Sequence, residues 1–214
     1  MRPDREPAGS CRLKAAAFLL LAWSVQADEI NTGTLRFLDH DPPGGVHEQS
    51  MQVHITADSL LSGWVITRQC HRRMDAIRAM EFVFRKGRTR GLRVLSSEKI
   101  DKAWVEGDSV QLTGVAQGAE LCLAAEVHSL QTSPDGVGWV LTSGPFLRRF
   151  LDGYFPIQLT LSVEYPSDRI RLVSLDPPGL LPHTRNVTGL IRIDTRFEGR
   201  LLVESRFQPA AASP

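Results

Sequence analysis

Residues 155–166, FPIQLTLSVEYP, put Ile157, Leu159, Leu161, Val163 and Tyr165 at odd positions and Gln158, Thr160, Ser162 and Glu164 at even ones. A helix would scatter these apolar side chains around its circumference. Only a period of two gathers them on one side, so the stretch reads as a strand with one buried face. The alternation recurs in 51–57, with Met51, Val53, Ile55 and Ala57 inward, and in 121–130, with Leu121, Leu123, Ala125 and Val127 inward. Further strand candidates are 34–39, 63–70, 80–85, 92–96, 102–106, 109–114, 137–142, 169–175, 188–195 and 200–207. Turn chemistry separates them at Gly107-Asp108, Pro134-Asp135-Gly136, Pro166-Ser167-Asp168 and Glu198-Gly199. About a dozen short strands so spaced predict an all-β protein, an antiparallel β-sandwich of immunoglobulin-like or related type.

One segment breaks the alternation. GPFLRRFLDGYFP, residues 144–156, carries Pro145 at a helix-opening position, i,i+4 pairs Phe146/Phe150 and Leu147/Leu151, Arg148 four residues before Asp152, and Gly153 at the stop. The pattern predicts a two-turn helix over 145–152 inside a connector, 144–156, between an N-terminal β lobe (28–143) and a C-terminal β lobe (157–208). Four strands in the second lobe are too few to bury a core alone, so both lobes are expected to share one interior. Phe146, Leu147, Phe150 and Leu151 would then plug its end while Arg148 and Arg149 stay in water. The competing reading makes Arg148, Arg149, Tyr154 and Phe155 a partner-binding patch, since Tyr, Phe and Arg are enriched at interface centres. Asp-Pro-Pro-Gly occurs at 41–44 and again at 176–179, each after an Arg-led strand, a weak echo of two related units. The tail, 209–214, reads as disordered.

Residues 1–27 combine Arg2, Arg5, Arg12 and Lys14, an apolar run Ala15–Trp23, and small residues at 25 and 27. That layout predicts a signal peptide cleaved before Asp28. The run is well short of the roughly 20 residues a spanning helix needs, and no later run approaches that length, so no transmembrane span is expected in the mature chain. Lys occurs four times against 21 Arg, a bias that, with the leader, suggests a bacterial periplasm. Beyond the leader the chain has a net charge of −1, which calls for no nucleic acid partner. Export would place Cys70 and Cys122 where disulfides persist. A bridge between them closes a loop of about 50 residues and would contribute about 4 kcal/mol. A copper or zinc site from Cys70, His71, Cys122 and His128 is disfavoured, because adjacent strand residues point to opposite faces.

Catalytic signatures are missing: G-x-S-x-G, H-E-x-x-H, a P-loop and a dinucleotide fingerprint do not occur. GDSV at 107–110 resembles the nucleophile block of the GDSL hydrolases, but it runs straight into an alternating strand and lacks a downstream Asp-x-x-His. Gly107-Asp108 therefore reads as a hairpin turn. His40 and His47 bracket a Pro-Pro-Gly-Gly loop of the solvated kind, and the six histidines show no i,i+2 or i,i+4 ligand spacing, so no catalytic residue, metal or cofactor is assigned.

Charge distribution says more than charge total. Residues 68–93 carry nine basic side chains against Asp75 and Glu81, a local net of +7. Arg72, Arg73, Arg85, Lys86, Arg88, Arg90 and Arg93 form a candidate basic patch that could steer an anionic partner. The expected function is an exported, non-catalytic binding or assembly module that recognises an anionic envelope component or a partner protein. The alternatives are a hydrolase or redox enzyme whose site assembles only in three dimensions, and a metal-binding protein.

Overall fold

In the computed structural model, which describes residues 31–40, 45–151 and 153–210, the alternating segments pair into two facing sheets. The larger holds β1 (Arg36–Phe37), β2 (His47–His54), β3 (Trp64–Met74), β4 (Ile77–Val83), β5 (Thr89–Glu106), β6 (Ser109–His128), β11 (Ile157–Glu164), β13 (Thr184–Val187) and β14 (Leu190–Glu198). The smaller holds β7 (Leu130–Thr132), β8 (Trp139–Phe146), β12 (Ile170–Asp176) and β15 (Leu201–Pro209). β9 (Arg149–Phe150) and β10 (Gly153–Tyr154) form a separate two-residue pairing. A four-residue helix, Ser59–Ser62, and a 3-10 turn, Pro178–His183, complete the described residues.

The larger sheet runs β1-β14-β11-β2-β3-β6-β4, with β13 beside β14 and β5 beside β6. Its pairs are antiparallel except β2 with β11, which run parallel with Leu161 opposite Met51. More than a hundred residues separate these two strands in the chain, so no tight turn constrains their direction. Between the sheets, Ile157, Leu159, Leu161 and Val163 of β11 are sealed from solvent against Ile191, Ile193 and Phe197 of β14 and Leu201, Val203 and Phe207 of β15. Val53, Ile55 and Val65 belong to the same core, so one interior draws on both halves of the sequence. Glu164, Arg192, Asp194 and Arg206, on the alternate positions, face solvent. Period two thus decides which side chains are buried.

A second core lies inside a coiled part of the larger sheet. Phe84 N–H donates to Asp108 O (2.8 Å) and His128 N–H donates to Arg88 O (2.9 Å), so the five residues 84–88 reach from one end of β6 to the other. Four Cα steps span at most about 15 Å, whereas a straight strand of 20 residues would be about 65 Å long. β6 therefore curls back on itself. Its inward positions change from even (Val110, Leu112) to odd (Leu121, Leu123) across Gly114 and Gly118, and β5 follows it through three register shifts. Met74, Val115 and Ala119 join these residues, and Phe82, Met80, Leu92 and Ile100 pack against them. Gly107, at φ 59°, makes the left-handed first corner of the two-residue β5–β6 turn, as read from GDSV.

The structure corrects several expectations. The segments 92–96 and 102–106 are one bulged strand, β5, and 109–114 and 121–130 belong largely to one strand, β6, because glycines and phase slips inside a coiled strand imitate turns. The described residues of 145–152 form no helix. β8 continues through Phe146, with Gly144 and Pro145 bulged opposite Leu202, and the chain then enters the β9–β10 pairing. The four apolar residues do not pack as one face: Phe146 is buried, whereas Leu151 is 94% exposed and adopts φ 51°. Residues 1–27, the first Asp-Pro-Pro-Gly and the end of the tail, 211–214, lie outside the described residues. Among those described, no helix is long and apolar enough to cross a membrane.

Candidate functional site

Cys70 and Cys122 face each other in the β3–β6 register and are joined as a disulfide. Their side chains occupy the face of β3 opposite to Thr67, Gln69 and His71. That second face continues the row begun by Val65, but it changes from apolar to polar where the sandwich opens. Here β2 contributes His47, Gln49 and Met51 and β3 contributes Thr67, Gln69 and His71 to the floor of a cleft of about 910 Å3. Met74, Met80, Phe82 and Phe84 of the coil form one wall, and Phe146, Leu147 and Phe150 another. The volume falls within the roughly 300–1,000 Å3 of small-molecule sites.

Two histidines far apart in the chain meet in this floor. His47 Nε2 lies 3.0 Å from His71 Nδ1, and both residues are buried. Burial holds the His47 imidazole down to about 4, reinforced by the positive charge of Arg148 and opposed by Asp75. Burial, with His47 as the second cause, lowers His71 to about 3. Both rings are neutral at neutral pH. His71 Nε2 is sealed from solvent without a hydrogen-bond partner among the described residues, packed by the Phe82 ring at 4.5 Å between centroids. A sealed acceptor costs less than a sealed donor, so the favoured tautomer has His71 Nδ1–H donating to His47 Nε2 and leaves His47 with a proton on Nδ1.

At the cleft edge Arg148 donates from Nε and Nη2 to both carboxylate oxygens of Asp75 (2.6–3.0 Å) and from Nη1 to Pro156 O (3.2 Å). Its guanidinium lies 5.7 and 5.8 Å from the Phe150 and Phe155 ring centroids. The pair ties the hairpin after β8 to the β3–β4 corner, with side-chain exposures of 19% and 31%. Asp75→Ala or Arg148→Ala leaves one half-buried charge unpaired and is expected to cost about 1–3 kcal/mol. The double variant should lose less than the sum, as urea unfolding would show.

The basic residues singled out in the sequence divide into two groups. Arg72 pairs with Glu120 (3.3 Å), Arg73 with Glu48 (3.4 Å), and Arg90 with Glu126 (2.6 Å) while stacking on Trp64 at 4.3 Å. Neighbouring strands supply the compensating acids for these three. Arg93 donates to Gly91 O, and Lys86 is exposed at the Arg85–Arg88 turn away from the cleft lining. Arg85 and Arg88, by contrast, line the cleft together with Arg148, Arg149 and Arg200. Neither Arg85, Arg88 nor Arg200 has an acidic partner among the described residues. Two patches read separately in the sequence therefore converge on one cavity. Tyr154 and Phe155 do not line it, although Arg149 stands 5.7 Å from the Tyr154 ring and the 41% exposed Phe155 has its ring 5.8 Å from the Arg148 guanidinium.

Sequence reading missed His47, His71, Gln49 and Gln69 as cleft residues. Their odd positions within β2 and β3 were a signal, because polar side chains there continue the inward row of Val53 and Val65. Among the described residues no group of three or more His, Cys, Asp or Glu side chains converges as a metal site, and no Ser, Thr or Cys side chain hydrogen-bonds either imidazole. In comparison with known proteins, the chain matches no family model and no curated protein.

Proposed function

We propose that the protein is an exported binding module of the cell envelope that captures an anionic ligand in this cleft without transforming it. The observation that carries this reading is the convergence of Arg85, Arg88 and Arg200, which lack acidic partners among the described residues, with Arg149 on one concave site. Guanidinium groups without compensating carboxylates attract and orient carboxylates, phosphates and sulfates by paired hydrogen bonds. A disulfide and a leader-like N-terminus support export to an oxidising compartment. The imidazole pair supports binding over catalysis, since among the described residues its side-chain hydrogen bond is internal and no Ser, Thr or Cys side chain bonds to it.

The test is binding of the mature protein to uronate tetramers, tetraglutamate and phosphatidylglycerol vesicles at low and high salt. At least one should bind, more weakly as salt rises, and Arg85→Ala/Arg88→Ala should weaken it at least about tenfold. Absence of binding to all, or binding indifferent to both arginines, would remove the proposal.

A further inference from the structure

Taking that anion-capture reading as its basis, we infer that the cleft is built for an acidic oligosaccharide. The deciding feature is the floor. Gln49 is buried and Gln69 half-buried, both line the cleft, and neither side-chain amide has a hydrogen-bond partner among the described residues. They lie on adjacent strands at diagonal positions, Gln49 opposite His71 and Met51 opposite Gln69, so the two amides act as one pad. Each brings two N–H donors and a carbonyl acceptor. His47 Nδ1–H adds a further donor without a partner among the described residues.

An acyl chain seated on this floor would shut these groups away from solvent and offer them no hydrogen bond. Orphaning a buried amide costs more than covering it with methylenes gains, so a lipid tail is a poor occupant. A peptide carries its own unpaired N–H and C=O row, which needs an open strand edge. The floor offers none, since β2 lies between β11 and β3 and β3 between β2 and β6. The open edge at the cleft is that of β4 in the wall, and a peptide paired there would leave the amide pad unmatched. Sugar hydroxyls both donate and accept and so match the amide pad. The C–H faces of sugar rings suit the Phe82, Phe150 and Met51 surfaces, and an acid group reaches the arginines.

The experiment titrates the mature protein, labelled with 15N, with galacturonate and mannuronate tetramers, a neutral maltotetraose control, tetraglutamate and phosphatidylglycerol vesicles. A uronate tetramer is expected to bind at least tenfold more tightly than maltotetraose or tetraglutamate and to shift the side-chain amide signals of Gln49 and Gln69. Gln49→Leu/Gln69→Leu is expected to weaken uronate binding at least tenfold, and the amide shifts in the unmodified protein decide the matter if that variant does not fold. Binding of vesicles or tetraglutamate that needs Arg85 and Arg88, with neither uronate bound, would overturn the saccharide inference and leave the anion-capture reading intact. Uronate binding that leaves both amide signals unmoved would overturn it as well. No binding to any probe would overturn both.

Discussion

Acidification from pH 7 to pH 5 is expected to remove about 4 kcal/mol of stability through two side chains, His47 and His71. In the unfolded chain each imidazole titrates near its ordinary 6.5, whereas burial holds them to about 4 and about 3 in the folded protein. Between about pH 6.5 and 4 the unfolded state therefore takes up protons that the folded state refuses. Stability is full above pH 6.5 and falls as the pH drops, by about 1.4 kcal/mol per pH unit for each ring. The decline continues to about pH 3 for His71 alone. Protonating either ring in place would put a buried imidazolium against its partner, and for His47 the Arg148 charge adds to the penalty. Urea unfolding at pH 7, 6 and 5 measures the slope, and His71→Gln should roughly halve it. A slope that His71→Gln leaves unchanged would show that the buried pair is not its source.

Breaking the Cys70–Cys122 bridge is the other large perturbation. The cysteines are 52 residues apart in sequence, and opening a loop of that length frees denatured-chain entropy equivalent to about 4 kcal/mol, within a usual range of about 2–5. The bridge also sits where the coil meets the sandwich: β3 is the strand that pairs with β2 on one side and with β6 on the other. For a domain of this size about 4 kcal/mol corresponds to a fall of roughly 8–16 °C in Tm. Thermal unfolding of Cys70→Ala/Cys122→Ala beside the parent protein tests this, and a shift of under about 3 °C would contradict it. Titrating the denatured, unreduced protein should find neither of these two thiols free.

What was legible in the chain differs from element to element. β11 could be read in full because all its odd side chains enter one apolar core, so its pattern carries no competing signal. β6 could not, because a coiled strand must change its inward phase, and each change resembles a turn. The 145–152 segment misled for a related reason. Four apolar residues at helical spacing fit a helix, but the pairing of Phe146 with Leu201 held the chain extended and sent Leu151 into solvent. Tertiary pairing outweighs the local preference of so short a segment.

The order of residues alone determined that the protein is built from strands and which face of β11 is buried, because side-chain alternation is a property of the chain itself. The site was decided elsewhere. His47 reaches His71 through the register of β2 on β3, and Arg85 and Arg88 reach the cleft of Arg148 and Arg149 because β6 curls far enough to bring its two ends together. Register and curvature arise from packing between distant segments, and no local pattern encodes them.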